Sequence, residues 1–160
     1  MQLSVRSATT SDAEAIAQVH VRAWQQTYSH LVPAERLDAL DPADRVERWR
    51  SILAGADESA WVAEVGGAVV GWATTSTRDP ERHPRALELN GLYVLAAAHG
   101  TGVGQSLLDA AVADAPAFLW SAADNPRAQA FYRRNGFVAD GERDEHPILD
   151  TPVQIARFVR

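Results

Sequence analysis

Three glycines, Gly100, Gly102 and Gly104, follow a short apolar run, Leu87 to Leu95, and open a helical pattern that starts near Val103. Glycines at such a place let the backbone approach a ligand closely, and the first N–H groups of the helix have no partner within it. Together these features form an anion site suited to a pyrophosphate. Spacing alone leaves a ligand-free glycine turn equally open. The glycine spacing fits a dinucleotide-binding fingerprint poorly, and the run lies mid-chain after a hairpin. A Walker loop is excluded because the chain has no lysine; every basic side chain is arginine.

Composition narrows the chemistry further. Cysteine is absent, which removes disulfides, thiolate metal sites and a cysteine acyl-enzyme. The 5 histidines are scattered without a pair at zinc-ligand spacing, so no metal is expected. A formal charge of -6 argues against nucleic acid, which needs a basic stripe, and suits a cationic substrate. No apolar run reaches the roughly 20 residues that span a bilayer. The opening residues Met1 to Arg6 carry no signal-type apolar stretch, so a cytoplasmic location without membrane attachment is expected.

The elements that must position these residues can be read from periodicity. At 160 residues, 46% hydrophobic and 22% charged, the chain has the size and balance of one globular domain over 1–160. Gln2 to Ala8 alternates like a strand. Ser11 and Glu14 have capping-box spacing at a helix start, and Ile16, Val19, Ala23, Trp24 and Tyr28 then recur on one helical face. Pro33 and Pro42 sit at first-turn positions, with Asp41 as a cap; Leu37, Leu40, Val46, Trp49 and Leu53 form the apolar sides. Gly66-Gly67 joins strands Ala60–Val65 and Ala68–Thr75 in a hairpin. A charged loop, Arg78 to Arg85, precedes the Leu87–Leu95 strand. A helix from Val103 to Asp114, a strand Ala117–Ala122, a helix Pro126–Asn135 stopped by Gly136, and strands Phe137–Gly141 and Val153–Val159 complete the chain. The expected order is β-α-α-β-β-β-α-β-α-β-β, a mixed sheet with helices on both faces. Asp140 to His146 reads as a solvated loop that borders the acceptor at most.

Two blocks carry a family resemblance. Glu88-Leu89-Asn90-Gly91-Leu92-Tyr93-Val94 leads to His99-Gly100-Thr101-Gly102-Val103-Gly104, and Asn125-Pro126-Arg127-Ala128 leads through Phe131-Tyr132 to Gly136-Phe137. In that order they resemble the acetyl-CoA motifs of the Gcn5-related N-acetyltransferase (GNAT) superfamily, over most of the chain. The resemblance implies an α+β fold with a central mixed, mostly antiparallel sheet whose fourth and fifth strands splay apart around the pantetheine. It implies acetyl-CoA as cosubstrate and a small-molecule or peptide amine as acceptor. A backbone N–H near Val94, beside Leu92 and Tyr93, would polarise the acetyl carbonyl. Amides from Gly100 to Gly104, with Gln105, would hold the phosphates. Asn125, Ala128, Phe131 and Arg133 would line the cofactor, Phe131 also serving as core. His99, Thr101 and Gln105 depart from the family's basic or glutamine residues, which leaves the phosphates to backbone donors helped by Arg133 or Arg134. Homodimers are common among such proteins; nothing in the sequence itself demonstrates one.

The resemblance also assigns catalytic roles. Tyr132 would sit beside the sulfur and protonate the leaving thiolate; its plain alternative is a core aromatic. Glu88 occupies the position of the general base, against the alternative of pairing with a nearby arginine; Asn90, on the same strand face, would hold an intervening water. Asn125 serves equally as an N-cap. Trp24, Tyr28 and Trp72 are the acceptor-pocket candidates, where cation–π contact would suit an ammonium group, while Trp49, Trp61 and Trp120 read as core. His99 and His146 read as structural or solvent-facing. Without a cysteine, direct transfer in a ternary complex is expected. The second reading is a CoA-binding sensor or regulatory module that has lost turnover.

Overall fold

The computed structural model describes residues 2–160. Seven strands form one sheet, and their order, β1-β2-β3-β4-β5-β7-β6, sets the location of the site. β1 (Leu3–Ser7), β2 (Ser59–Val65), β3 (Ala68–Thr77) and β4 (Leu87–Val94) run antiparallel, each to its neighbour. β5 (Phe118–Ala122) lies parallel to β4, and β7 (Thr151–Val159) returns antiparallel between β5 and β6 (Val138–Ile148). The helices are α1 (Ala13–Thr27), α2 (Ala34–Asp38), α3 (Ala43–Ala54), α4 (Val103–Val112) and α5 (Pro126–Arg134).

Strand alternation divides the core into two layers. Val62 and Trp72 point to one face, where they meet Ile16, Ala17 and Trp49 of α1 and α3. Their neighbours Ala63 and Ala73 point to the other and pack with Leu89, Val103, Leu107 and Leu108. Removing a side chain such as Leu107, 0% exposed, from water contributes roughly 1.5–3 kcal/mol. The two-glycine hairpin forms as the sequence indicates, with Gly66 at φ 59° and Gly67 at φ 82°. Gly136, at φ 84°, ends the turn after α5 in the left-handed region.

Two features of β4 create the opening. Only Glu88 pairs with Phe118 and Leu89 with Leu119; beyond them β4 and β5 part. On the other side of β4, Thr75 faces Leu89 while Thr74 faces Gly91, so Asn90 is an extra residue in a β-bulge. Such a bulge bends its strand and strengthens the local twist. Both act at the same point, which turns the second half of β4 away from β5.

Three expectations are corrected. The first helix is entered two residues earlier than the Ser11–Glu14 box: a 3₁₀ turn, Thr10–Asp12, precedes α1, and the Asp12 carboxylate accepts from the Thr9 N–H at 2.7 Å. Asp12 is committed there because Arg6 grips both its oxygens at 2.8 Å, and this pairing lowers its pKa to about 2. Three helices, not the two of the expected order, lie between β1 and β2; the two that Pro33 and Pro42 open, α2 and α3, are separate, as those prolines and the Asp41 cap indicate. Finally, Asp140 to His146 is not a loop but part of β6, paired with β7 through a register shift at Gly141, whose φ is 89°. Every residue from Val138 to Pro147 on this edge strand is exposed, so no alternating pattern was present to betray it.

Candidate active site

The parted strands enclose a cleft of about 1120 Å³, lined by β4, β5, α5, the C-terminal end of α1 and the ends of β6 and β7. The glycine loop closes one end of it. Gly100 (φ 74°) and Gly102 (φ 91°) need glycine for conformation rather than space, because nothing lies within 4 Å of a Cβ added at either. The first bond of α4 runs from Ser106 N–H to the Gly102 carbonyl at 3.0 Å. The amides of Val103, Gly104 and Gln105 therefore have no helical acceptor and carry the positive end of the α4 dipole. The Val103 side chain itself is core, 1% exposed.

The loop's polar side chains are taken up by partners within the protein. A His99 ring nitrogen bonds the Val94 carbonyl at 2.8 Å, Thr101 donates to the Ala98 carbonyl at 2.7 Å, and the Gln105 amide donates to Asp109 and Asn135, both at 2.8 Å. His99, Gly100, Gly102, Gly104 and Gln105 line the cleft; Thr101 and Val103 do not. Neither does Arg133, whose guanidinium lies 5.7 Å from the Phe158 ring. Arg127 and Arg134 do line it. They share one face of α5 with Phe131 at helical spacing, a pattern that was present in the sequence and would have distinguished them from Arg133.

Tyr132 reaches the cleft from α5. Its ring packs edge-on to Phe131 and Phe137, and it is 8% exposed. Among the described residues its hydroxyl has no hydrogen-bond partner. Burial, and secondly the neighbouring Tyr28, raise its pKa, so the phenol stays protonated at neutral pH. Asn125 caps α5: its Oδ1 accepts from the Ala128 N–H at 3.2 Å, which leaves the amide NH2 directed elsewhere. Asn125, Ala128 and Phe131 all line the cleft, as do Leu92, Tyr93 and Val94 of β4.

Glu88 sits at the closed end of the splay and accepts a hydrogen bond from Arg78 Nε. The arginine partner that the sequence left as an alternative is thus present. Asn90 accepts from the Ser76 hydroxyl at 2.9 Å and reaches Glu58 at 3.4 Å; Ser76 is the register partner of Glu88, which keeps Asn90 on the Glu88 side. Trp24, Tyr28 and Trp72 line the cleft. Trp72 is 5.1 Å and Tyr28 6.5 Å from the Tyr93 ring, centre to centre, and the Trp72 ring would lie 3.0 Å from a Cβ added at Gly91. Trp49 is buried, as expected.

Most other cleft residues had no sequence signal; His146 is the end of the stretch expected to border the acceptor at most. Gln26 accepts from the Ala96 N–H at 2.8 Å, and a His30 ring nitrogen bonds the Asp124 carbonyl at 2.7 Å; both tie the end of α1 across the sheet. His146, Ile148 and Val153 arrive from β6 and β7. Among the described residues no group of three or more His, Asp or Glu could hold a metal ion, and no helix is long and apolar enough to cross a membrane.

A splayed β4–β5 pair ending in a glycine loop thus gives an open cleft with an anion site of helix amides at one end. Residues 20–137 match the sequence profile of the family described as "Acetyltransferase (GNAT) family". The chain belongs to that family and is an acetyl-CoA-dependent N-acetyltransferase. It is similar to "Probable N-acetyltransferase Rv2775" of Mycobacterium tuberculosis, 29% identical over 144 residues that cover 87% of this chain and 82% of that protein. Among solved structures, the GCN5-related N-acetyltransferase from Rhodopseudomonas palustris superposes with a TM-score of 0.73 at 22% identity, over 100% of this chain and 96% of that one. The PaiA N-acetyltransferase from Thermoplasma acidophilum, in complex with coenzyme A, gives 0.71 at 16% identity over 100% of both chains.

Proposed function

We propose that this protein transfers acetyl from acetyl-CoA directly to a primary amine, with both substrates bound at once. The observation that carries the reading is the set of amides at Val103, Gly104 and Gln105 that have no partner among the described residues, at the end of a cleft between parted strands. The diphosphate rests on these donors. The pantetheine runs between β4 and β5, with the Asn125 amide as its partner. The coenzyme A in the Thermoplasma structure supports this placement by likeness of fold.

The chemistry follows from the groups lining the cleft. An amine has a reference pKa of about 10.4 as its ammonium and attacks only as the free base. Its nitrogen forms a bond to the thioester carbon, and the resulting oxyanion gains about 2.7–4 kcal/mol from a fixed backbone N–H at the end of β4. As the carbon–sulfur bond breaks, Tyr132 gives its proton to the thiolate and regains one from solvent. The surplus proton on nitrogen leaves through water towards Glu88.

The test joins binding to turnover: thermal shift with acetyl-CoA, then thiol release across a panel of amines and peptides. Stabilisation by acetyl-CoA with amine-dependent thiol release is expected. Binding without turnover on any amine would leave the sensor reading in its place, and indifference to coenzyme A would overturn both.

A further inference from the structure

The cleft holds a pair of groups that the transfer scheme above does not use. The Tyr28 and Tyr93 hydroxyls lie 2.6 Å apart, one arriving from the end of α1 and the other from β4. Both line the cleft. Within such a pair one phenol donates to the other, which leaves one free O–H and unused lone pairs on oxygen. Burial raises the pKa of both tyrosines, so the pair is uncharged.

Their surroundings are apolar. Tyr28 packs with Val32, Leu37, Ala122, Ile148 and Val153, with Trp24 and Tyr93 against this cluster. The only carboxylate lining the cleft among the described residues is Glu88. It is engaged by Arg78, and it lies five residues before Tyr93, about 16 Å along an extended strand. An ammonium ion at the tyrosine pair would be desolvated with no counter-charge. A neutral amine would not: a phenol oxygen accepts one of its N–H groups, and the nitrogen lone pair is left for the thioester. Tyr132 belongs to the core layer on the α4 side of the sheet, and Tyr93 packs on the α1 layer. Nucleophile and leaving-group acid thus approach from opposite faces.

We propose that the Tyr28–Tyr93 hydroxyl pair is the docking point of the acceptor nitrogen, and that the acceptor is a primary amine on an apolar or aromatic body rather than a polycation. This rests on the N-acetyltransferase reading and narrows its substrate class. The net acidity of the chain does not enter, because among the described residues every acidic group but the Arg78-paired Glu88 lies outside the cleft.

The experiment is calorimetric binding of 2-phenylethylamine and of spermidine to the CoA-saturated protein, in two buffers of different ionisation enthalpy. Selection of the free base predicts release of about one proton per phenylethylamine bound near pH 7.5. Tyr28→Phe and Tyr93→Phe, which keep the rings, should each weaken that binding by about tenfold, the worth of one hydrogen bond, with affinity for CoA unchanged. Spermidine should bind more weakly than phenylethylamine. Binding without proton release, Phe variants that bind normally, or a preference for spermidine would overturn the proposal. Thiol release is followed in parallel. Turnover indifferent to both Phe variants sinks the docking point and spares the transferase, whereas proton-linked binding without turnover does the reverse.

Discussion

Arg78, the residue after the last of β3, donates from Nε to the Glu88 carboxylate on β4, so the candidate base is held by a cation at the closed end of the splay. The Glu88 side chain is 15% exposed, which keeps it within reach of water. Such a carboxylate can accept a proton through solvent and can equally be a structural partner. Glu88→Gln separates the two. As a base, its loss should lower kcat roughly 10²-fold near pH 7 and displace the rate towards higher pH, where more free amine is present. As a structural partner, Glu88→Gln and Arg78→Gln should lower Tm alike and leave the pH–rate profile in place. The profile of both variants, with Tm beside it, decides the matter.

Tyr132→Phe should leave acetyl-CoA affinity nearly as it was and lower kcat by about 10²–10⁴-fold. The ring stays packed on Phe131 and Phe137, so the fold is spared. Because burial raises the Tyr132 pKa, the wild-type rate should show no alkaline loss assignable to this phenol up to pH of about 10, its ordinary value. A falling limb centred near pH 8 that disappears in the Phe variant would contradict the assignment, as would an unchanged kcat.

The strands and helices that build the site were legible because their patterns are local. Gly66-Gly67, Pro126 and Gly136 fix turns and caps by backbone conformation, and the alternation of β2 and β3 sorts Val62 from Ala63. The glycine loop was legible for the same reason. What stayed hidden depends on contacts between distant segments. No local signal tells that Asn90 is a bulge, since that requires the register of β3. None tells that Tyr28 meets Tyr93 across 65 residues. The continuation of β6 beyond Gly141 was missed because an edge strand uncovered on both faces has no apolar period to read.

Coenzyme A brings phosphate charge, and the loop residues His99, Thr101 and Gln105 spend their polar atoms within the protein. Arg127 and Arg134 are the arginines that line the cleft. Replacing either by glutamine should weaken acetyl-CoA binding roughly fivefold to tenfold at low salt, with the difference shrinking near 0.5 M salt as the charges are screened. Arg133→Gln should have little effect on the same titration. Calorimetry at two ionic strengths checks this, and equal losses from Arg133 and Arg134 would remove the distinction.

His20 should make the fold acid-sensitive. Its ring lies among Trp24, Trp72 and Trp49, and Nδ1 accepts from the Trp49 indole N–H at 3.1 Å. The proton of the neutral ring is therefore on Nε2, which is buried without a partner among the described residues. Burial, then the nearby Arg45 and Arg48, lower its pKa from 6.5 to about 3. Below pH 6.5 the unfolded chain binds a proton at this site that the folded one refuses. Stability must fall as pH drops through that range, by at most about 1.4 kcal/mol per unit from this one group. Asp12 acts in a lower window: Arg6 holds it near 2 against an ordinary 3.8, so its contribution is lost only as pH falls through that lower interval. Between pH 4 and 6.5, then, His20 dominates the groups with shifted pKa values. His20→Gln keeps an acceptor for Trp49 but has no proton to gain. Its unfolding free energy, measured by urea titration at several pH values, should decline less steeply across this window than that of the wild type. Parallel lines would mean that His20 titrates as freely in the fold as outside it.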